Sequence, residues 1–178
     1  MEQKQALMYG FGGQEALLCR VLEARGIVPV PVAPEDMGQQ VGRLCGLAGY
    51  REKKRQPGAL PQGQGLLVLH NVTREELEEL LKAIRQAGVT VPSLKAMVTP
   101  TNLNWTLDVL FGELFREQEI MGELRKLGRL RRNVLPDPGN LPLMHALIQA
   151  QKCFGGGEEV TLEQVKKAIR DLEAVLKP

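Results

Sequence analysis

The chain has 178 residues, 43% hydrophobic and 25% charged, which is ordinary globular composition and enough to bury one sizeable core or two small ones. A formal net charge of +2 names no partner by itself, because a nucleic-acid or membrane contact needs its charge concentrated on one face. Aromatic residues are scarce at 4%, so the core has to come from Leu, Val, Ile, Ala and Met.

Three cysteines, Cys19, Cys45 and Cys153, stand far apart among apolar residues, none at zinc-ligand spacing from another or from a histidine. That usage suits small buried hydrophobes in a reducing compartment. No stretch near the start has the form of a signal peptide, and no apolar run approaches the roughly 20 residues of a membrane span. The expectation is a cytoplasmic protein with no membrane partner.

Ala6 to Phe11 is a short apolar run that ends in glycines, the pattern of a strand buried on both faces. After Gly12 and Gly13, Leu17, Leu18, Val21 and Leu22 recur at helical spacing, and Gly26 stops that helix. Ile27 to Val32 is β-branched but carries two prolines, which predicts an edge strand. Pro34, Glu35 and Asp36 open a predicted helix through Met37, Val41, Leu44 and Cys45. Residues 49–65 differ in kind: Arg51 to Arg55 is basic, and Pro57, Gly58, Pro61, Gly63 and Gly65 follow, which predicts a linker or long surface loop.

The pattern then returns. Leu66 to His70 reads as a strand, Thr73 and Glu76 form a capping box, and Leu77, Leu80, Leu81 and Ile84 make one stripe before Gly88. Val89 to Val98 is extended and broken at Pro92. The polar loop Thr99-Pro100-Thr101-Asn102 leads into a long predicted helix with Leu103, Leu107, Leu110, Phe111, Leu114 and Phe115 on one side. Val32 and Pro34 correspond to Val98 and Pro100, and Met37, Val41 and Leu44 to Leu103, Leu107 and Leu110, all at one offset of 66 residues. The reading is an α/β fold: a duplicated β-α-β-α unit forming a small sheet covered by helices, with approximate internal two-fold symmetry.

Arg125 to Arg132 is a second basic cluster, ended by Pro136 to Gly139. Leu141 to Phe154 and Thr161 to Leu176 then make a C-terminal α-helical hairpin, the second helix opened by the box of Thr161 and Gln164. The domain reading is therefore 1–48 for the first unit, 49–65 for the linker, 66–135 for the second unit and 136–178 for the hairpin.

Loops at the carboxyl ends of parallel strands are where α/β folds place ligands. The glycine turn at Gly12 and Gly13 admits close approach but is no full phosphate-binding fingerprint. The loop of Thr99, Thr101, Asn102, Asn104 and Trp105 holds more polar donors than a helix cap needs, and Asn104 and Trp105 are left unexplained by capping. No catalytic constellation and no metal-ligand set is visible, and no cofactor is implied: His70 and His145 lie far apart, and Glu75, Glu76, Glu78 and Glu79 read as a solvated helix face.

The run Leu94-Lys-Ala-Met-Val-Thr-Pro-Thr-Asn-Leu-Asn-Trp-Thr-Leu107, within Leu66 to about Leu124, resembles a small bacterial family known only as domain of unknown function 3783. The resemblance implies no activity, cofactor or partner. The leading functional expectation is a non-enzymatic module that binds a small polar or anionic ligand at 99–105. The alternative is an interaction protein that dimerises or docks a partner through its C-terminal hairpin. Nucleic-acid binding through the two basic clusters, and an unrecognised enzyme, rank below both.

Overall fold

A computed structural model describes residues 3–52, 65–155 and 159–176, so most of the predicted linker, 53–64, lies outside the described residues. Four strands, β1 (Gln5–Tyr9), β2 (Val28–Pro31), β3 (Leu66–His70) and β4 (Leu94–Met97), make one sheet in the order β2-β1-β3-β4. The outer pairs are parallel and the central pair, β1 with β3, is antiparallel. The proline-bearing β2 takes an edge, where its missing N–H groups cost no ladder bonds.

Each parallel pair is bridged by a helix, α1 (Glu15–Glu23) between β1 and β2. The helix between β3 and β4 is numbered α3 (Arg74–Gln86), because a single turn, α2 (Val41–Leu44), precedes it. Both bridging helices stop alike: Gly26 and Gly88 adopt φ of 67° and 75°, and the next residues, Ile27 and Val89, donate to Leu22 O and Ile84 O at 3.1 Å each. Only a residue without a Cβ adopts that conformation freely. The capping box at Thr73 and Glu76 is formed from both sides, and Lys4 pairs with Glu76.

Strand alternation sends Ala6, Met8, Leu67 and Leu69 to one face, where they pack with Leu18, Leu22, Leu80 and Ile84. The intervening residues Leu7, Leu66, Val68 and Leu94 are equally buried, as are Met37, Val41, Leu107, Leu110 and Phe111 of the segments that follow β2 and β4. A sheet buried on both faces explains why β1 and β3 read as continuous apolar runs.

The segment after β2 differs from the predicted single helix. Pro34–Asp36 is a 3-10 turn, Gln40 is extended with ψ of 143°, and only Val41–Leu44 is α-helical. After β4 the helix likewise begins later than predicted. Asn102–Asn104 is a 3-10 turn, Trp105 is extended, and α4 spans Leu107–Arg132. Leu103 is therefore part of the turn and not of the helix. In both places the extended residue stands where the two segments bond to each other, through Gln39 O and Val41 N–H on one side and Leu107 N–H and Trp105 O on the other.

The chain divides into two compact units, Met1–Leu114 and Phe115–Pro178. In the second, Leu127 of α4 joins Leu143, Ala146 and Ala150 of α5 (Leu141–Lys152) and Val165, Ile169 and Leu172 of α6 (Leu162–Leu176) in one core. The hairpin read from sequence is thus completed by the end of α4. Asn140 caps α5 through Leu143 N at 3.1 Å, and the box of Thr161 and Gln164 opens α6. Among the described residues no helix is long and apolar enough to cross a membrane.

Candidate functional site at the 99–105 junction

The polar loop after β4 is tied mainly to itself. Thr99 N–H donates to Asn102 Oδ1 at 2.8 Å, Asn102 N–H donates back to Thr99 Oγ1 at 3.3 Å, and Asn102 Nδ2 donates to Met97 O at 3.0 Å. Asn102 is only 8% exposed, and its amide is spent on closing the turn against the strand it left. A buried amide so bonded is a structural group. Pro100 fits the approach, and Leu103 N–H and Trp105 N–H close the turn onto Thr99 O and Asn102 O at 3.1 Å each.

The backbone beyond the turn bonds to the segment that follows β2. Val41 N–H donates to Trp105 O at 2.9 Å, and Leu107 N–H donates to Gln39 O at 3.0 Å. Gln40 and Thr106 face each other between those bonds as an isolated antiparallel bridge. Gln40 Nε2 adds a bond to Asn104 O at 3.0 Å, and Asp108 N–H one to Met37 O at 2.9 Å. The carbonyls of Asn104 and Trp105, unexplained by capping, are therefore acceptors in this seam. Of the predicted ligand-binding side chains, Thr99 and Asn102 are engaged within the loop. Thr101 and Asn104 are exposed, and Trp105 is half-buried.

Gly12 and Gly13 are not brought to this loop. They form a 3-10 turn ahead of α1, at the end of β1. Because β1 runs antiparallel to β3 and β4 parallel to it, the turns after β1 and β4 leave opposite ends of the sheet. A Cβ on either glycine would meet nothing within 4 Å, so neither backbone lies close under a neighbour. A cavity of about 340 Å³ does lie beside them, lined by Gly10, Phe11, Gln14, Thr90, Pro92 and Ser93. Gln14 Oε1 accepts from Thr90 N–H there at 3.0 Å, which ties the two loops together.

Sequence reading missed one polar pair, half-buried Gln5 and buried His70. Gln5 and His70 stand opposite each other across β1 and β3, His70 is 8% exposed, and neither Gln5 Oε1 nor His70 Nδ1 has a hydrogen-bond partner among the described residues. No local signal marks it, since the pairing depends on the register of strands 65 positions apart in sequence. The cysteines are unpaired thiols. Burial pushes Cys45 up to about 11 and raises Cys153, while Cys19 is raised by burial and then by Glu15 and Glu23. Among the described residues no group of three His, Cys, Asp or Glu side chains is placed to hold a metal ion.

The helical unit carries the larger cavity, a groove of about 660 Å³ along α5 and α6, lined among others by Ile148, Lys152, Cys153, Val160, Ala168 and Asp171. Ile148, in the groove lining, is 52% exposed.

No curated protein and no solved structure matches the chain. Residues 66–121, from β3 into α4 and including the whole junction, match the family model described as Domain of unknown function (DUF3783), and this segment of the chain carries that domain.

Proposed function

We propose that the chain is a non-enzymatic interaction protein that pairs with a second copy of itself through its C-terminal helices, with the α/β unit as a closed scaffold. The observation that carries this reading is the groove along α5 and α6 with Ile148 exposed in its lining. A two-fold interface must complement itself, so a patch that carries both signs of charge suits it. Lys152 and Lys167 lie in the groove lining together with Glu159 and Asp171, with Lys167 and Asp171 bridged to each other at 3.8 Å and Glu159 to Arg116 at 3.6 Å, exposed pairs that can exchange partners at an interface. The competing reading, a small polar or anionic ligand at 99–105, loses support because Thr99 and Asn102 already have partners. Binding through them would require breaking the turn.

Two finer readings go with this. We take the two halves of the α/β unit to be one duplicated β-α-β-α unit, supported by β2 and β4 standing at the predicted offset of 66 residues and by the symmetric order of the sheet. Three free thiols fit a reducing compartment, and on that ground we assign the protein to the cytoplasm.

Sedimentation equilibrium of the full chain tests the pairing. The wild type is expected to dimerise at micromolar concentration and Ile148→Asp to be monomeric with unchanged circular dichroism. A wild type that stays monomeric across the concentration range contradicts the reading.

A further inference from the structure

The end of α4 and the turn after it form a surface that the proposed pairing does not use. Arg125, Lys126, Arg129, Arg131 and Arg132 put five cations into eight residues, and no acid occurs between Glu123 and Asp137. Lys126 is bridged to Glu173, and Arg132 Nε donates to Gly128 O. Arg125, Arg129 and Arg131 have no carboxylate partner among the described residues, and all three are exposed. Cations in a last helical turn complement the helix dipole, which accounts for Arg129, Arg131 and Arg132. It does not account for Arg125, which lies about 10 Å short of the helix end at a rise of about 1.5 Å per residue.

A second observation sits beside the first. The connection from α4 to α5 carries Leu135 at 87% exposure and Leu141 at 74%, the two most exposed large hydrophobic residues described. The turn between them is held by Asp137, whose Oδ1 accepts from Gly139 N–H at 2.9 Å and whose backbone O accepts from Asn140 N–H at 3.0 Å. Leu135 and Leu141 flank this turn, both exposed.

We infer that this turn is a peripheral contact surface for an anionic lipid bilayer. The arginine guanidiniums bind headgroup phosphates, to which their planar forks can donate two bonds each, and Leu135 and Leu141 enter the acyl boundary. A nucleic acid offers the same phosphates but no use for the leucines. Phe154, 41% exposed, does pack its ring beside Gly128 of α4, so the leucines and not the lack of an aromatic separate the two partners. The contact is one of surface adsorption and needs no spanning helix.

Flotation of the full chain with phosphatidylcholine vesicles, with and without phosphatidylglycerol, tests the inference. The chain is expected to float only with the anionic vesicles and to be released by salt. Neutralising two cations in Arg125→Gln/Arg129→Gln lowers partitioning about 30-fold, at about fivefold per charge. Leu135→Ser/Leu141→Ser lowers it at least about tenfold with the charge unchanged. All four positions are exposed, so circular dichroism should not change. Equal flotation with both vesicle types, or none with either, overturns the inference. So does binding to duplex DNA that needs the arginines and ignores the leucines.

Discussion

Gln40 and Thr106 face each other as a single antiparallel bridge, flanked by two reciprocal backbone bonds, Val41 N–H to Trp105 O and Leu107 N–H to Gln39 O. Both donors are the first residues of helices, positions where proline is usually tolerated because the N–H has no helical partner. Here each N–H has a partner across the seam. Val41→Pro and Leu107→Pro are therefore each expected to be less stable than the alanine variant at the same position, by about 1 kcal/mol for the lost bond and more where the orphaned carbonyl stays buried. Chemical denaturation of the four variants measures this. Proline and alanine variants of equal stability would remove the seam from the account.

The turn of Thr99 and Asn102 makes a graded prediction. Asn102→Ala loses two side-chain bonds at a buried position, to Thr99 N–H and Met97 O, and is expected to cost about 2–3 kcal/mol, Thr99→Ala about 1 kcal/mol, and Thr101→Ala close to nothing. If the loop instead exists for a ligand, Asn102→Ala should leave stability nearly unchanged.

Glu76 gives a pH signature. The hydrogen bond from Lys4 is the main cause that holds its carboxyl below the ordinary glutamate value, with the Thr73 backbone N–H second. The unfolded chain therefore takes up this proton first as acid is added. Stabilisation from Glu76 is complete above the ordinary glutamate range and disappears as pH falls through the lowered value. Glu76→Gln should lower the melting temperature at neutral pH and flatten its acid dependence, as followed by thermal denaturation across pH. Parallel curves for the two proteins would contradict the assignment.

The thiols should differ in reactivity, since the thiolate is the nucleophile. Cys19 is half-buried, while Cys45 and Cys153 are buried and Cys45 is raised to about 11. Alkylation of the native chain at neutral pH followed by peptide mass mapping should label Cys19 first and Cys45 last. Fast labelling of Cys45 would show that its surroundings open.

The elements that were legible in sequence are those fixed by local chemistry. The capping boxes at Thr73 and Thr161, the stops at Gly26 and Gly88 and the proline-marked edge strand all stand where their residues place them. The predicted helices over Pro34 to Cys45 and through Leu103 fail for a non-local reason. Their apolar spacing is helical, but Gln39 O and Trp105 O accept bonds from residues some 65 positions away in the chain, and the backbone stays extended to reach them. The same non-locality hid the role of Asn104 and Trp105, which contribute carbonyls and not side chains to the seam. Periodicity reports which residues are buried, and it cannot report which backbone groups are paired across the fold.

The measurement that bears most directly on the account is sedimentation equilibrium of the full chain beside Ile148→Asp and Asn102→Ala. The account predicts a dimer for the wild type, a folded monomer for Ile148→Asp, and a dimer of reduced thermal stability for Asn102→Ala. A monomeric wild type, or an Ile148→Asp variant that remains dimeric, would contradict the assignment of pairing to the helical groove.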